Sequence, residues 1–139
     1  MSGIVGGPGS KSGVIGETEI AYEEGAFTPT STVSTSAVWG HYVKVGKVVH
    51  IWARWTFDAS GGASLSGLPF TSSTIANNVS VMINKNVNWG TSVTTCTGYI
   101  GASSTTYNPL MSGDNVDWQN DFTVASGSEV ILQLTYNTV

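Results

Sequence analysis

One cysteine, few charges and no long apolar run mark this 139-residue sequence. A single thiol, Cys96, excludes an internal disulfide framework. Its setting, TTCTGY, is that of a small buried strand residue, and no base stands nearby, since His41 and His50 lie in another segment. Charged residues make up 10% of the chain, against about a quarter in typical soluble domains. Five Lys plus Arg against nine Asp plus Glu leave a net charge of −4, which repels phosphate backbones, so nucleic acid is not expected as a partner. No apolar stretch approaches the roughly twenty residues that span a bilayer, and no cationic start precedes an apolar core. Neither membrane insertion nor a signal peptide is therefore expected. Zinc spacings, phosphate loops and a Gly-x-Ser-x-Gly elbow are also missing, and no cofactor or metal is expected.

What remains is a hydroxyl-rich chain of single-domain size, long enough to bury roughly two thirds of its unfolded surface. Residues 1–20 read as a Gly/Ser-rich leader or shaft junction. Glycine recurs there at 3, 6 and 9, then at 13 and 16, too briefly and brokenly for a collagen-like helix. From residue 22 no helical period is sustained; two-residue alternation bounded by Gly, Asn, Asp, Ser or Pro takes over. In HYVKVGKVVHIWARWTF, residues Val49, Ile51, Ala53, Trp55 and Phe57 share one face, the buried side of a long strand. Further strands are expected at ASLSGLPF, at NNVSVMINKN with Val79, Val81 and Ile83 in phase, and at TSVTTCTGYIG. SEVILQLTYNT places Val130, Leu132, Leu134 and Tyr136 together, and these in-phase sets are expected to supply one core. The pattern predicts an all-β domain over residues 21–139, an antiparallel β-sandwich or jelly roll.

Candidate chemistry is sparse. Glu23 and Glu24 in AYEEGAFTPT are two carboxylates, but glycoside hydrolysis needs a pair facing each other across substrate. Neighbours on an extended chain point to opposite sides. An entry segment is the better reading, with Tyr22 and Phe27 anchoring on the sandwich and Gly25 permitting a bend. Asp114, Asp117 and Asp121 surround Trp118 without the ligand spacing of a calcium loop. Opposite the apolar set of the long strand lie Val48, His50, Trp52 and Arg54, a row too hydrophobic for plain solvent and too polar for a core. His50, Trp52 and Arg54 suit a subunit interface around a threefold axis, or a ligand platform if open to water. Five tryptophans are many for this length. Trp39 and Trp55 are expected in the core. Trp89 with Asn88, Trp118 with Asp117, and Tyr107 sit among turn-forming residues, where a flat ring with polar neighbours suits a sugar, or else caps the core.

The run GSKSGVIGETEIAYEEGAFTPT, the following GHYVKVGKVVHIWARWTF and the later LSGLPF resemble ordered motifs in the C-terminal domains of bacteriophage tail fibres and tailspikes. The resemblance covers residues 10 to 70 and departs from the family pattern at Ala26 before Phe27. It implies a homotrimeric β-sandwich at the distal end of a virion fibre, joined to a preceding shaft. It also implies a non-enzymatic role in binding a host receptor such as cell-surface polysaccharide. Two other functions stand beside it: a purely structural trimerisation cap, and a small glycan-depolymerising hydrolase.

Overall fold

The computed structural model describes residues 21–75, 77–78, 80–85, 93–113, 116–119 and 122–139. The expected leader, Asn88, Trp89, Asp114 and Asp121 lie outside them. Among the described residues the chain is all β, with no helix and only antiparallel pairing. Its strands are β1 (Tyr22–Phe27), β2 (Thr30–Ser31), β3 (Thr35–Val45), β4 (Val48–Phe57), β5 (Gly61–Gly62), β6 (Leu65–Ser66), β7 (Asn77–Asn78), β8 (Ser80–Lys85), β9 (Val93–Ile100), β10 (Tyr107–Gly113), β11 (Val116–Gln119), β12 (Thr123–Val124) and β13 (Glu129–Asn137). One sheet runs β1-β3-β4-β13-β8; a second runs β2-β6-β10-β9-β7, with β11 added on β10; β12 and β5 form a short third pair.

The hairpin β3–β4 sets the phase of the first sheet. Its loop is Gly46-Lys47, with Val45 opposite Val48. Gly46 has φ of 59° and Lys47 stays outside the positive region, the pattern of a two-residue II′ hairpin, which needs glycine first. Register then follows without freedom, because a slip of one residue would turn every side chain to the other face. Val49, Ile51, Ala53, Trp55 and Phe57 are thereby buried, as the alternation predicts. β13 lies antiparallel to β4 from Glu129↔Thr56 to Asn137↔Val48 and buries Val130, Leu132, Leu134 and Tyr136 on the same side.

Leu65 of β6, Ile100 of β9, Tyr107 and Met111 of β10, and Phe122 close the core from the other side, giving a sandwich-like architecture. Hydrogen bonds from two core rings tie it internally. Trp55 Nε1 donates to the Thr30 carbonyl at 3.1 Å. The Tyr136 hydroxyl donates to the Phe70 carbonyl at 3.0 Å and accepts from the Phe70 N–H at 3.3 Å. Burial pushes the Tyr136 phenol up to about 12, against a smaller lowering by the Phe70 backbone bond. Glycine is required where rings cross strands. A Cβ on Gly98 would stand 2.3 Å from the Asn108 carbonyl oxygen and 2.4 Å from the Tyr107 hydroxyl.

Several expectations change. ASLSGLPF yields only the two-residue β6, because Gly67 turns the chain with φ of 77° and Pro69 cannot donate to a ladder. β8 pairs with β13 at Val81↔Gln133 and Ile83↔Ile131, and Val79 lies outside the described residues. Trp39, expected in the core, is on the outer face and half exposed. The core side of β3 there belongs to Gly40, where a Cβ would meet the Phe27 ring at 2.8 Å.

Candidate functional site

The entry segment AYEEGAFTPT becomes β1, an edge strand paired with β3 from Tyr22↔Val45 to Phe27↔Gly40. Phe27 packs against the core as expected, but Tyr22 does not anchor there: it faces outward, exposed. Gly25 makes no bend, since it sits inside the strand and leaves room for the Tyr42 side chain, whose hydroxyl lies 3.0 Å from where its Cβ would be. Glu23 and Glu24 diverge. Glu23 accepts a 2.8 Å bond from the Tyr42 hydroxyl and lies 3.8 Å from Lys44 Nζ. Glu24 accepts from the Tyr22 hydroxyl at 2.5 Å on the other face. These hydrogen bonds, ahead of desolvation and carboxylate charge, hold both phenols above their usual range.

Where the structure describes the expected loop aromatics, they stand in strands. Tyr107 is the first residue of β10 and fully buried in the core. It is not a loop ligand, because its ring is laid across Gly98 of the neighbouring strand. Asp117 and Trp118 belong to the four-residue strand β11 rather than a loop, and β11 pairs with the opposite end of β10, at Met111 and Gly113. Cys96 is partly buried on β9.

The expected row His50, Trp52 and Arg54 does lie together, on the outer face of the five-stranded sheet, and the register extends it. Reading across the strands, Tyr22, Val45 and Val48 form one row; Glu24, Val43, His50 and Thr135 the next. Ala26, His41, Trp52 and Gln133 follow, then Trp39, Arg54 and Ile131. Exposure is 62% at Tyr22, 52% at Trp39, 44% at Val45, 46% at Val48 and 36% at Trp52. With about 150–250 Å² for a fully presented aromatic side chain, these five alone show on the order of 400–500 Å². That is toward the upper end of the largest patch a typical monomer carries, about 300–600 Å².

Polar groups on this face are tied to one another. His50 packs edge-on against Trp52, with ring centroids 4.3 Å apart at 75°, and Trp39 lies 5.7 Å from the His41 ring. His50 Nδ1 is 2.5 Å from Thr135 Oγ1, and Nε2 is 3.2 Å from the Gln133 amide nitrogen. An amide NH₂ only donates, so Nε2 accepts, while Nδ1 carries the proton and donates to Thr135. Arg54 donates to Glu129 at 2.9 Å. Rings held in place beside neutral hydrogen-bonding groups are the composition favoured in the cores of protein interfaces. Tyr22, Trp39, His41, Val45 and Val43 escape a search by alternation of β4 alone. The signal that finds them is the two-residue turn, which fixes β3 opposite β4.

No protein family, no curated protein and no solved structure matches this chain.

Proposed function

We propose that this chain forms the end domain of a bacteriophage tail fibre or tailspike, a homotrimer of jelly-roll type whose subunits meet through the outer face of the five-stranded sheet. The observation that carries the proposal is the set of exposed apolar side chains on one sheet face, Tyr22, Val45, Val48, Trp52 and Trp39, with His50 and Arg54 held among the rings. A standard interface needs about 800 Å² per partner, and the five large side chains supply on the order of half of that before their neighbours are counted. The jelly-roll part is supported by β13 lying between β4 and β8, a long-range crossover of Greek-key character.

The role is to present host-binding surfaces in threefold repeat, so that weak contacts to cell-surface polysaccharide add through multivalency. Its non-enzymatic character is supported by the carboxylates of β1, which face opposite ways and are each engaged by a tyrosine. A purely structural cap is the second reading, favoured by one observation: Tyr107 is core. Sedimentation gives the oligomeric state, and a monomer at micromolar concentration overturns the proposal. Binding of the isolated trimer to arrayed bacterial glycans and to bacterial cells separates receptor domain from cap: saturable binding supports the former, and none supports the latter.

A further inference from the structure

Resting on the trimer reading above, we infer that the outer sheet face is a pH-responsive interface, from which copies of this chain separate when His41 and His50 gain protons. Both histidines of the chain stand on this one face. His41 is directly opposite Trp52, and His50 packs against the same ring. They flank the tryptophan at the middle of the patch.

The hydrogen-bond partners of His50 are neutral groups. His50 is held by a hydroxyl and an amide, with Nε2 as an acceptor. Protonation turns Nε2 into a donor facing the Gln133 NH₂, and the amide must turn over to restore a bond. Among the described residues, the carboxylates on this face are Glu24 and Glu129. Glu24 on β1 takes the Tyr22 hydroxyl. Glu129 on β13 takes Arg54 of β4, and Lys85 of β8 stands opposite Glu129 in the register. Among the described residues no carboxylate is ion-paired with either imidazole. An imidazolium covered by a second copy would lose water with no carboxylate of its own chain ion-paired to it, an arrangement in which burying charge is costly. An isolated chain leaves these rings part-hydrated, so protons favour separation.

Histidine is the side chain whose charge changes between about pH 5 and 8, so the test compares sedimentation velocity at about pH 7.5 and about pH 5 over a dilution series. If the free chain takes up protons that the trimer excludes, the dissociation constant rises by at least about tenfold per pH unit toward the acid end of that interval. Circular dichroism at the lower pH must show the strands intact. The double variant His41→Gln/His50→Gln must lose the slope, whatever its affinity at neutral pH, and each single variant must reduce it. On the unmodified chain, the imidazole proton resonances must titrate over the interval in which the trimer separates. A trimer that persists unchanged at about pH 5 overturns this inference and leaves the trimer reading standing. A slope retained in the double variant, or separation accompanied by unfolding, also overturns it. A chain monomeric at both pH values overturns both.

Discussion

Trp39→Thr is the sharpest probe of the outer face. The side chain is 52% exposed in the single chain, which from an upper figure of roughly 250 Å² for tryptophan leaves about 130 Å² to be covered by a neighbouring copy. At ~25 cal/mol per Å² that area is worth about 3 kcal/mol per subunit contact, or about a hundredfold in affinity. Threonine keeps strand propensity, and position 39 donates nothing to the core, since the adjacent Gly40 and Phe27 fill the inner side. The single chain loses the contact with His41 and the half of the side-chain surface that it already covers, so its own stability should fall too, by up to about 3 kcal/mol. The expected result is weakened trimerisation by two orders of magnitude or more in sedimentation equilibrium, measured at concentrations and temperatures where the variant monomer stays folded. Unchanged association of the folded variant refutes the reasoning, because it would mean that no second copy covers Trp39.

Gly98→Ala should destabilise the fold by about 1–3 kcal/mol in a denaturant titration, since a Cβ there meets a ladder carbonyl and the Tyr107 hydroxyl. Tyr136 gives a pH signature in alkali. Its folded value of about 12 exceeds the ordinary 10.0, so its contribution is whole below pH 10 and is lost as pH climbs toward 12. Tyr136→Phe should remove that part of the alkaline decline in stability and, by orphaning the Phe70 carbonyl, cost about 1–3 kcal/mol near neutrality; thermal melts across the pH series measure both. Glu129→Gln should change monomer stability by at most about 1 kcal/mol, because its partner Arg54 is half exposed. A larger loss would place that pair in the folding core.

The strongest alternations in the chain are the most faithful guides. β4 and β13 each carry large apolar residues at every second position, and both bury them as read. β3 is harder to phase because, beyond Val38, its inner residues are Gly40, Tyr42 and Lys44, none of which announces a core. Lys44 stays on that side by resting its Nζ 4.6 Å from the Phe70 ring centre and pairing with Glu23. Hydrophobicity thus pulls Trp39 inward in the sequence, while the hairpin register puts it outside. Tyr107 misled for a related reason. Turn-forming neighbours surround it, but burial was decided by a glycine on the partner strand, a long-range pairing that local composition does not report. The row His50, Trp52 and Arg54 was visible because a single strand suffices to show its anomaly; the breadth of the face needed three more.

The placement of β13 bears on how this chain is made. A strand that lies between β4 and β8 is a late arrival in the interior of its sheet, because residues 129–137 leave the ribosome after every other described strand. Until then β4 offers an open row of amides and carbonyls beside the apolar side chains of Ile51 and Trp55. Such an edge templates pairing with other nascent chains. Synthesis on crowded polysomes is therefore the hazardous stage for this protein, and stalling before residue 129 should yield aggregates where a completed chain yields soluble protein.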